Sequence, residues 1–118
     1  MRFSILVVDD DAQLDSVSKQ LSRFGNITSG VRSGEDTVNW LKIQQVDLVI
    51  TDYRMRKMDG VQLRDLIRDG ISEEIPIILM TGEVDSNLRV GFDGFLQKPF
   101  TRNGLNNEVE RVRLPFRE

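Results

Sequence analysis

Four charged side chains in the sequence are of the types that phosphoryl chemistry requires. Asp9 and Asp10 directly follow the first apolar run, Asp52 follows the run DLVIT, and Lys98 follows the run GFLQ. Three carboxylates brought together repel one another, and a divalent cation relieves that repulsion. Once a cation and a lysine offset its charge, an aspartate can attack an activated phosphoryl group and form an acyl phosphate. Asp52 is the candidate nucleophile.

Two neighbouring residues, Thr81 and Gly82, are candidates for holding the transferred group. They follow a further apolar run, Ile77 to Met80. The Thr81 hydroxyl could hydrogen-bond a phosphoryl oxygen, and Gly82, which has no Cβ, would let its N–H approach that group closely. An all-oxygen site with few carboxylates suits Mg²⁺, which keeps several waters and prefers phosphate oxygens. Mg²⁺ is therefore the expected cofactor.

Each of these residues taken alone also has an ordinary structural explanation. The acidic run Asp9–Asp11 could cap the first helix and interact with its dipole. Asp52 could be a loop acid, Thr81 a strand-end hydroxyl and Lys98 a solvated lysine. Their shared position favours a site, because residues just after parallel strands meet at one edge of the sheet, where ligands bind.

Short apolar runs alternate with segments of helical periodicity about five times along the chain. This alternation indicates an α/β fold with a parallel sheet between two layers of helices. The expected strands are Phe3–Val8, Ile27–Val31, Asp47–Thr51, Ile77–Met80 and Gly94–Gln97. The expected buried helical faces are Leu14, Val17, Leu21 and Phe24; Val38, Trp40 and Leu41; Val61, Leu63, Leu66 and Ile67; and Leu105, Val109 and Val112.

The composition limits the possible functions. A chain of 118 residues suits a single domain, residues 1–118, which is either a lone module or a part of a larger protein. Its 16 basic and 19 acidic residues form no basic stripe, so direct nucleic-acid binding is not expected. The sequence has no cysteine and no histidine, which excludes thiolate nucleophiles, imidazole bases, cysteine or histidine metal sites and phosphohistidine carriers.

The sequence shows no signal for membrane insertion or export. The apolar stretch at the start is short and has no small-residue cleavage site. No run of eighteen apolar residues occurs. A cytoplasmic location is the default expectation.

From about Ile5 to Val112 the sequence resembles the receiver domain of two-component response regulators. Five motifs carry the resemblance in order: ILVVDD, DLVITDYRM, MDG, LMTG and FLQKPF. The resemblance implies a flavodoxin-like (βα)5 sandwich whose five-stranded parallel sheet has the order 2-1-3-4-5.

The resemblance also implies roles for individual residues. Asp52 would be phosphorylated, and Mg²⁺ would be held by Asp52, Asp9, Asp10 and the backbone carbonyl of Arg54. Which of the acids binds the metal directly stays open.

Three more residues receive roles by resemblance. Lys98 would pair with the phosphoryl group, and the Lys98–Pro99 peptide bond would be cis. Thr81 and Phe95 would transmit the phosphorylation signal. For Phe95, plain core packing is the alternative.

Two departures from the family pattern have consequences. Arg56 stands in the loop after Asp52 where receivers usually carry proline, which could loosen the loop or alter kinase recognition.

Only sixteen residues separate Thr81 from Lys98. After a strand and two loops this leaves roughly two helical turns, so the fourth helix is predicted to be short or irregular. Many receivers dimerise or bind an output domain through that helix, and the sequence leaves dimerisation undecided.

Three functions are compatible with these residues. The first is a phosphorylation switch, catalytic only on itself, that receives the phosphoryl group from a histidine kinase or phosphotransfer protein and signals to an output domain or downstream protein. The second is a Mg²⁺-dependent phosphohydrolase acting on an external substrate, although the chain has no cap domain to enclose one. The third is a receiver-like interaction module that is never phosphorylated.

Overall fold

The computed structural model describes residues 2–114, and their strands and helices alternate as the sequence predicts. Residues 1 and 115–118 of the expected single domain lie outside the described part. The strands are β1 Ser4–Val8, β2 Ile27–Val31, β3 Leu48–Asp52, β4 Ile77–Thr81 and β5 Gly94–Gln97. The helices are α1 Gln13–Arg23, α2 Gly34–Ile43, α3 Gly60–Gly70, a 3₁₀ helix Ser86–Arg89 and α4 Arg102–Arg113. Within residues 2–114 no helix is both long enough and apolar enough to cross a membrane.

All five strands are parallel and lie in the order β2-β1-β3-β4-β5, which confirms the predicted flavodoxin-like topology. β3 and β4 each end one residue later than predicted, and β3 also begins one residue later. Asp52 therefore pairs with Met80, and Thr81 pairs with Gln97. The two polar residues are part of the sheet itself, which fixes their backbones.

Each face of the sheet is covered by two helices, and β3 and β4 are buried along their whole length. This double burial explains why both strands are continuous apolar runs. One apolar cluster joins the sheet to α1 and α4, and the other joins it to α2 and α3. The helical residues that point into them are Leu14, Val17 and Leu21; Leu41; Leu63 and Ile67; and Leu105, Val109 and Val112.

Two residues that we predicted to be buried are exposed. Phe24 is 37% exposed, because α1 ends at Arg23 and Phe24 already leaves the helical face. Leu66 is 46% exposed. It lies one residue, or about 100° of helical rotation, from Ile67, which points into the core.

Polar side chains set the start of three helices. The Ser33 hydroxyl accepts the Asp36 N–H at 3.0 Å and caps α2. α3 begins with a complete capping box that we did not predict, in which the Asp59 carboxylate accepts the Gln62 N–H and the Gln62 side chain accepts the Asp59 N–H. Thr101 caps α4. The α3 cap fixes the chain immediately after the loop that follows Asp52.

Between β4 and β5 the chain forms the 3₁₀ helix Ser86–Arg89, which confirms the prediction that the helix before β5 is short or irregular. None of its residues is buried. An arginine from α3 holds the segment instead: Arg64 donates to the Val90 carbonyl at 2.6 Å, and its guanidinium lies 4.9 Å from the centre of the Phe92 ring.

Two side chains of α4 bind the backbone of β5 and of the residue that precedes it. The Glu108 carboxylate accepts the Phe95 N–H at 2.7 Å, and Arg111 donates to the Asp93 carbonyl at 2.9 Å. Arg111 also donates to Glu108, and these hydrogen bonds hold the pKa of the Glu108 carboxyl below its ordinary value. The pair thus fastens α4 to β5.

Candidate functional site

The carboxyl ends of β1, β3, β4 and β5 form one edge of the sheet, and the predicted site residues lie along it. Asp9 follows β1, Asp52 and Thr81 are the last residues of β3 and β4, and Lys98 follows β5. The topology brings these four residues together although they span most of the chain.

Lys98 is the centre of the charged cluster. Its Nζ lies 2.9 Å from Asp52 Oδ1 and 4.0 Å from Asp9 Oδ2. Its backbone N–H donates to the Thr81 carbonyl at 2.8 Å, and the Lys98–Pro99 peptide bond is cis, as the resemblance implies. Because its side chain is only 21% exposed, the ion pair with Asp52 is partly shielded from water.

Asp9 carries a negative charge that the protein does not balance fully. Its side chain is completely buried, and its Oδ1 accepts the Asp11 N–H at 2.9 Å. For Oδ2, residues 2–114 offer no hydrogen-bond donor. Burial, together with the nearby Asp52, raises the pKa of the Asp9 carboxyl.

Asp10 differs from Asp9 in that its carboxylate is tied to another loop. Its Oδ2 accepts the backbone N–H of Arg56 at 2.8 Å. No three acidic, histidine or cysteine side chains in the described chain form a ready-made metal site. The unpartnered oxygen of Asp9, beside the carboxylate of Asp52, nevertheless fits a hard cation with oxygen ligands.

Thr81 is nearly buried at the edge of the site. Its hydroxyl accepts the Glu83 N–H at 3.0 Å. Gly82 is exposed, and a Cβ added there would meet only the Lys98 Cβ, at 4.0 Å. The protein itself therefore leaves room for a side chain at position 82.

Phe95 belongs to neither apolar cluster, so plain core packing does not account for it. The ring is half-buried and is covered by the guanidinium of Arg89, which lies 4.1 Å from the ring centre. Arg89 is the last residue of the 3₁₀ helix between β4 and β5. A cation–π contact thus joins the ring of Phe95 to the 3₁₀ helix.

An ion pair that we did not predict joins the loops after β3 and β4. Both Nε and Nη2 of Arg54 donate to Glu83 Oε1, and the Nε distance is 2.7 Å. The sequence signal was weak: opposite charges occur two residues after Asp52 and two residues after Thr81. Since Arg54 is 77% exposed, the pair adds little to stability. It does link the two loops that flank Asp52.

Gly60, at the start of α3, lies directly beside the backbone of Asp52. Its N–H donates to the Tyr53 carbonyl at 2.8 Å, and an added Cβ would lie 2.8 Å from the Asp52 carbonyl oxygen. Such a contact is too close for any side chain. The glycine of the MDG motif thus allows α3 to pack against the end of β3.

Residues 5–110 match the response regulator receiver domain. The chain belongs to the response regulator receiver family. This receiver domain is 33% identical to the transcription factor SKN7 of Saccharomyces cerevisiae, over 98% of its own length and 20% of SKN7. It is 33% identical to the heme response regulator HssR of Staphylococcus saprophyticus, over 91% of its length and 50% of HssR. The receiver domain spans half or less of these curated relatives.

Solved structures agree with the family assignment. The receiver domain of a signal transduction histidine kinase from Syntrophus aciditrophicus superposes with a TM-score of 0.88 at 32% identity, covering 98% of this chain and 93% of the other. The chemotaxis response regulator CheY4 of Vibrio cholerae has the same fold, with a TM-score of 0.86 at 24% identity, covering 95% and 99%. The receiver domain is therefore a signalling switch of the two-component type.

Proposed function

We propose that Asp52 of this receiver domain accepts a phosphoryl group from a histidine kinase or phosphotransfer protein. The observation that carries the proposal is the contact of 2.9 Å between Lys98 Nζ and Asp52 Oδ1 at the common edge of the sheet. It supports a carboxylate that is oriented by the lysine but still reachable, since the side chain of Asp52 is 11% exposed.

In the transfer, a carboxylate oxygen of Asp52 attacks the phosphorus atom of the donor. An O–P bond forms, the N–P bond to the donor imidazole breaks, and the imidazole leaves with a proton from solvent. The ammonium of Lys98 offsets negative charge on the phosphoryl oxygens. Attack by water later releases phosphate and restores the carboxylate, so the domain would catalyse only its own phosphorylation and dephosphorylation.

Mg²⁺ is the proposed cofactor, held by the carboxylates of Asp9, Asp10 and Asp52 and by the Arg54 carbonyl. The buried Asp9 oxygen without a donor supports this assignment. When bound, Mg²⁺ supplies positive charge to the acids and to the phosphoryl oxygens. The donor set contains oxygen only, which is the preference of Mg²⁺.

The signal would pass through Thr81 and Phe95 to an output domain or a downstream protein. The Thr81 hydroxyl accepts the Glu83 N–H, and a phosphoryl oxygen on Asp52 would offer an acceptor for the proton of that hydroxyl. The Gly82 N–H is a second donor nearby. Movement of Phe95 would then break its stacking with Arg89. Phosphorylation would shift the equilibrium between the inactive and active conformations only by the difference in the free energy with which the two conformations interact with the phosphoryl group.

Incubation with acetyl phosphate and Mg²⁺, followed by intact mass spectrometry, tests this function. The unaltered protein should gain one phosphoryl group, whereas Asp52→Asn should gain none, because the amide is not a nucleophile. Asp69→Asn, an exposed aspartate on α3, is the matched control and should behave like the unaltered protein.

Equal labelling of Asp52→Asn would contradict the proposal. A lack of labelling in the unaltered protein would favour an interaction module, and sustained hydrolysis of a phosphate ester would favour a phosphohydrolase.

The ion pair of Arg54 with Glu83 should lengthen the lifetime of the phosphorylated state. It joins the loops that follow β3 and β4, and we expect this link to restrict the approach of water to Asp52. We expect Arg54→Ala to speed the loss of phosphate by about 3-fold, the factor that corresponds to an exposed ion pair. The measurement is the decay of the phosphorylated mass after removal of the donor. The exchanged pair Arg54→Glu with Glu83→Arg should restore the slow decay; an equally fast decay in the exchanged pair would refute the gating role.

A further inference from the structure

The backbone N–H of Arg56 connects two loops that carry proposed metal ligands. It donates to Asp10 Oδ2 at 2.8 Å across 46 positions of sequence. Asp10 follows β1, and the Arg54 carbonyl lies two residues before Arg56 in the loop after β3. We propose that this N–H is a positioning group that orients the Asp10 carboxylate and strengthens Mg²⁺ binding. The inference rests on the proposed function.

The loop after β3 is shaped so that this N–H faces Asp10. The Met58 N–H donates to the Arg56 carbonyl at 2.7 Å, and Lys57 between them has a φ of +68°. A two-residue hydrogen bond around a positive φ defines a γ-turn, which is rare and strained for a residue with a side chain. The bond to Asp10 is one of the contacts that hold this strained turn in place.

The bond affects how Asp10 can act as a ligand. With the N–H on Oδ2, the plane of the carboxylate is fixed and Oδ1 stays available to a cation. Because the metal would bind the other oxygen, the bond of 2.8 Å to Oδ2 can persist when the cation binds. The loops of Asp10 and Arg54 are joined before the metal arrives, so less conformational freedom is lost on binding. Outer contacts that orient metal ligands typically change affinity by about 10- to 100-fold.

Two substitutions of Arg56 distinguish the contribution of its backbone N–H from that of its side chain. Every residue type except proline supplies the N–H. Arg56→Ala removes the guanidinium and keeps the donor, whereas Arg56→Pro removes the donor as well. The side chain at position 56 is exposed, so its loss disturbs no core contact.

Isothermal titration with MgCl₂ alone, without a phosphodonor, tests the inference. Arg56→Ala should bind Mg²⁺ within about 2-fold of the unaltered protein, and Arg56→Pro should bind about 10-fold more weakly. Equal affinities of Arg56→Ala and Arg56→Pro would overturn the inference. If the unaltered protein itself binds no Mg²⁺, the proposed function fails instead.

Amide hydrogen exchange provides a second test that does not depend on the folding of the proline variant. The Arg56 amide should exchange slowly in the unaltered protein and in Asp10→Asn, whose amide oxygen can still accept, and about 10-fold faster in Asp10→Ala. Saturating Mg²⁺ should leave the amide protected. Loss of protection on adding Mg²⁺ would overturn the inference, because the metal would then compete with the bond rather than use it.

Discussion

Replacing Lys98 with methionine should slow the phosphorylation of Asp52 by about 100-fold, since one preorganised charge on an oxyanion contributes this much in comparable sites. Methionine keeps most of the length and the apolar stem of lysine but removes the ammonium, which lies 2.9 Å from Asp52 Oδ1. Because the lysine side chain is only 21% exposed, water replaces the lost charge poorly.

The rate is measured as phosphorylated mass against time at fixed acetyl phosphate and Mg²⁺. Lys42→Met, at an exposed position of α2, serves as the control and should leave the rate unchanged. Lys98→Arg should restore part of the rate, because it retains a positive charge with a different shape. A Lys98→Met rate within 3-fold of the unaltered rate would contradict the proposed role of this lysine.

The second large effect is on stability. Without Mg²⁺ at pH 7, Asp9→Asn should raise the free energy of unfolding by about 1–2 kcal/mol, which is typical of removing an unsatisfied buried polar group. The asparagine oxygen can still accept the Asp11 N–H, and its amide replaces the charged oxygen that has no donor. Asp10→Asn, whose carboxylate already has the Arg56 N–H, should not stabilise the protein.

The stability gained by Asp9→Asn should increase with pH. The pKa of Asp9 in the folded protein is raised above the value of 3.8 of the free side chain. The folded state therefore binds the proton more tightly than the unfolded state, and stability falls as pH rises from 3.8 through the raised pKa. The gain in stability from Asp9→Asn should be complete at pH values above the raised pKa of Asp9 and should disappear below pH 3.8.

Urea unfolding of both proteins across this pH range measures the difference. Saturating Mg²⁺ should reduce the advantage at pH 7, because a ligand that binds only the folded state stabilises the unaltered protein. A difference in stability that is independent of pH would show that the charge of Asp9 is not its cause.

Several features could be predicted from the sequence because simple physical rules determine them. Strands buried on both faces must be continuous apolar runs, which located β3 and β4 to within one residue. Parallel strands place the residues that follow them at one edge, which grouped Asp9, Asp52 and Lys98 correctly. The short spacing between Thr81 and Lys98 predicted that the helix between β4 and β5 would be short or irregular, and a 3₁₀ helix of four residues is observed there.

Other features depend on geometry that side-chain patterns do not encode. The bond from Arg56 to Asp10 is made by a backbone N–H, which every residue except proline carries. The γ-turn at Lys57 has no glycine to mark it. We predicted Phe24 and Leu66 to be buried, and both are exposed. The exact end of a helix and its rotation depend on packing against the sheet, which the apolar spacing does not specify.

The pair formed by Glu108 and Arg111 has a consequence for how the domain behaves at high concentration. β5 is one of the two edge strands of the sheet, and unpaired backbone groups on an edge strand are a common start of aggregation between sheets. Here the Phe95 N–H and the Asp93 carbonyl are already bonded to that pair. Two charged side chains thus occupy backbone groups at the start of this edge, where an added strand would otherwise pair.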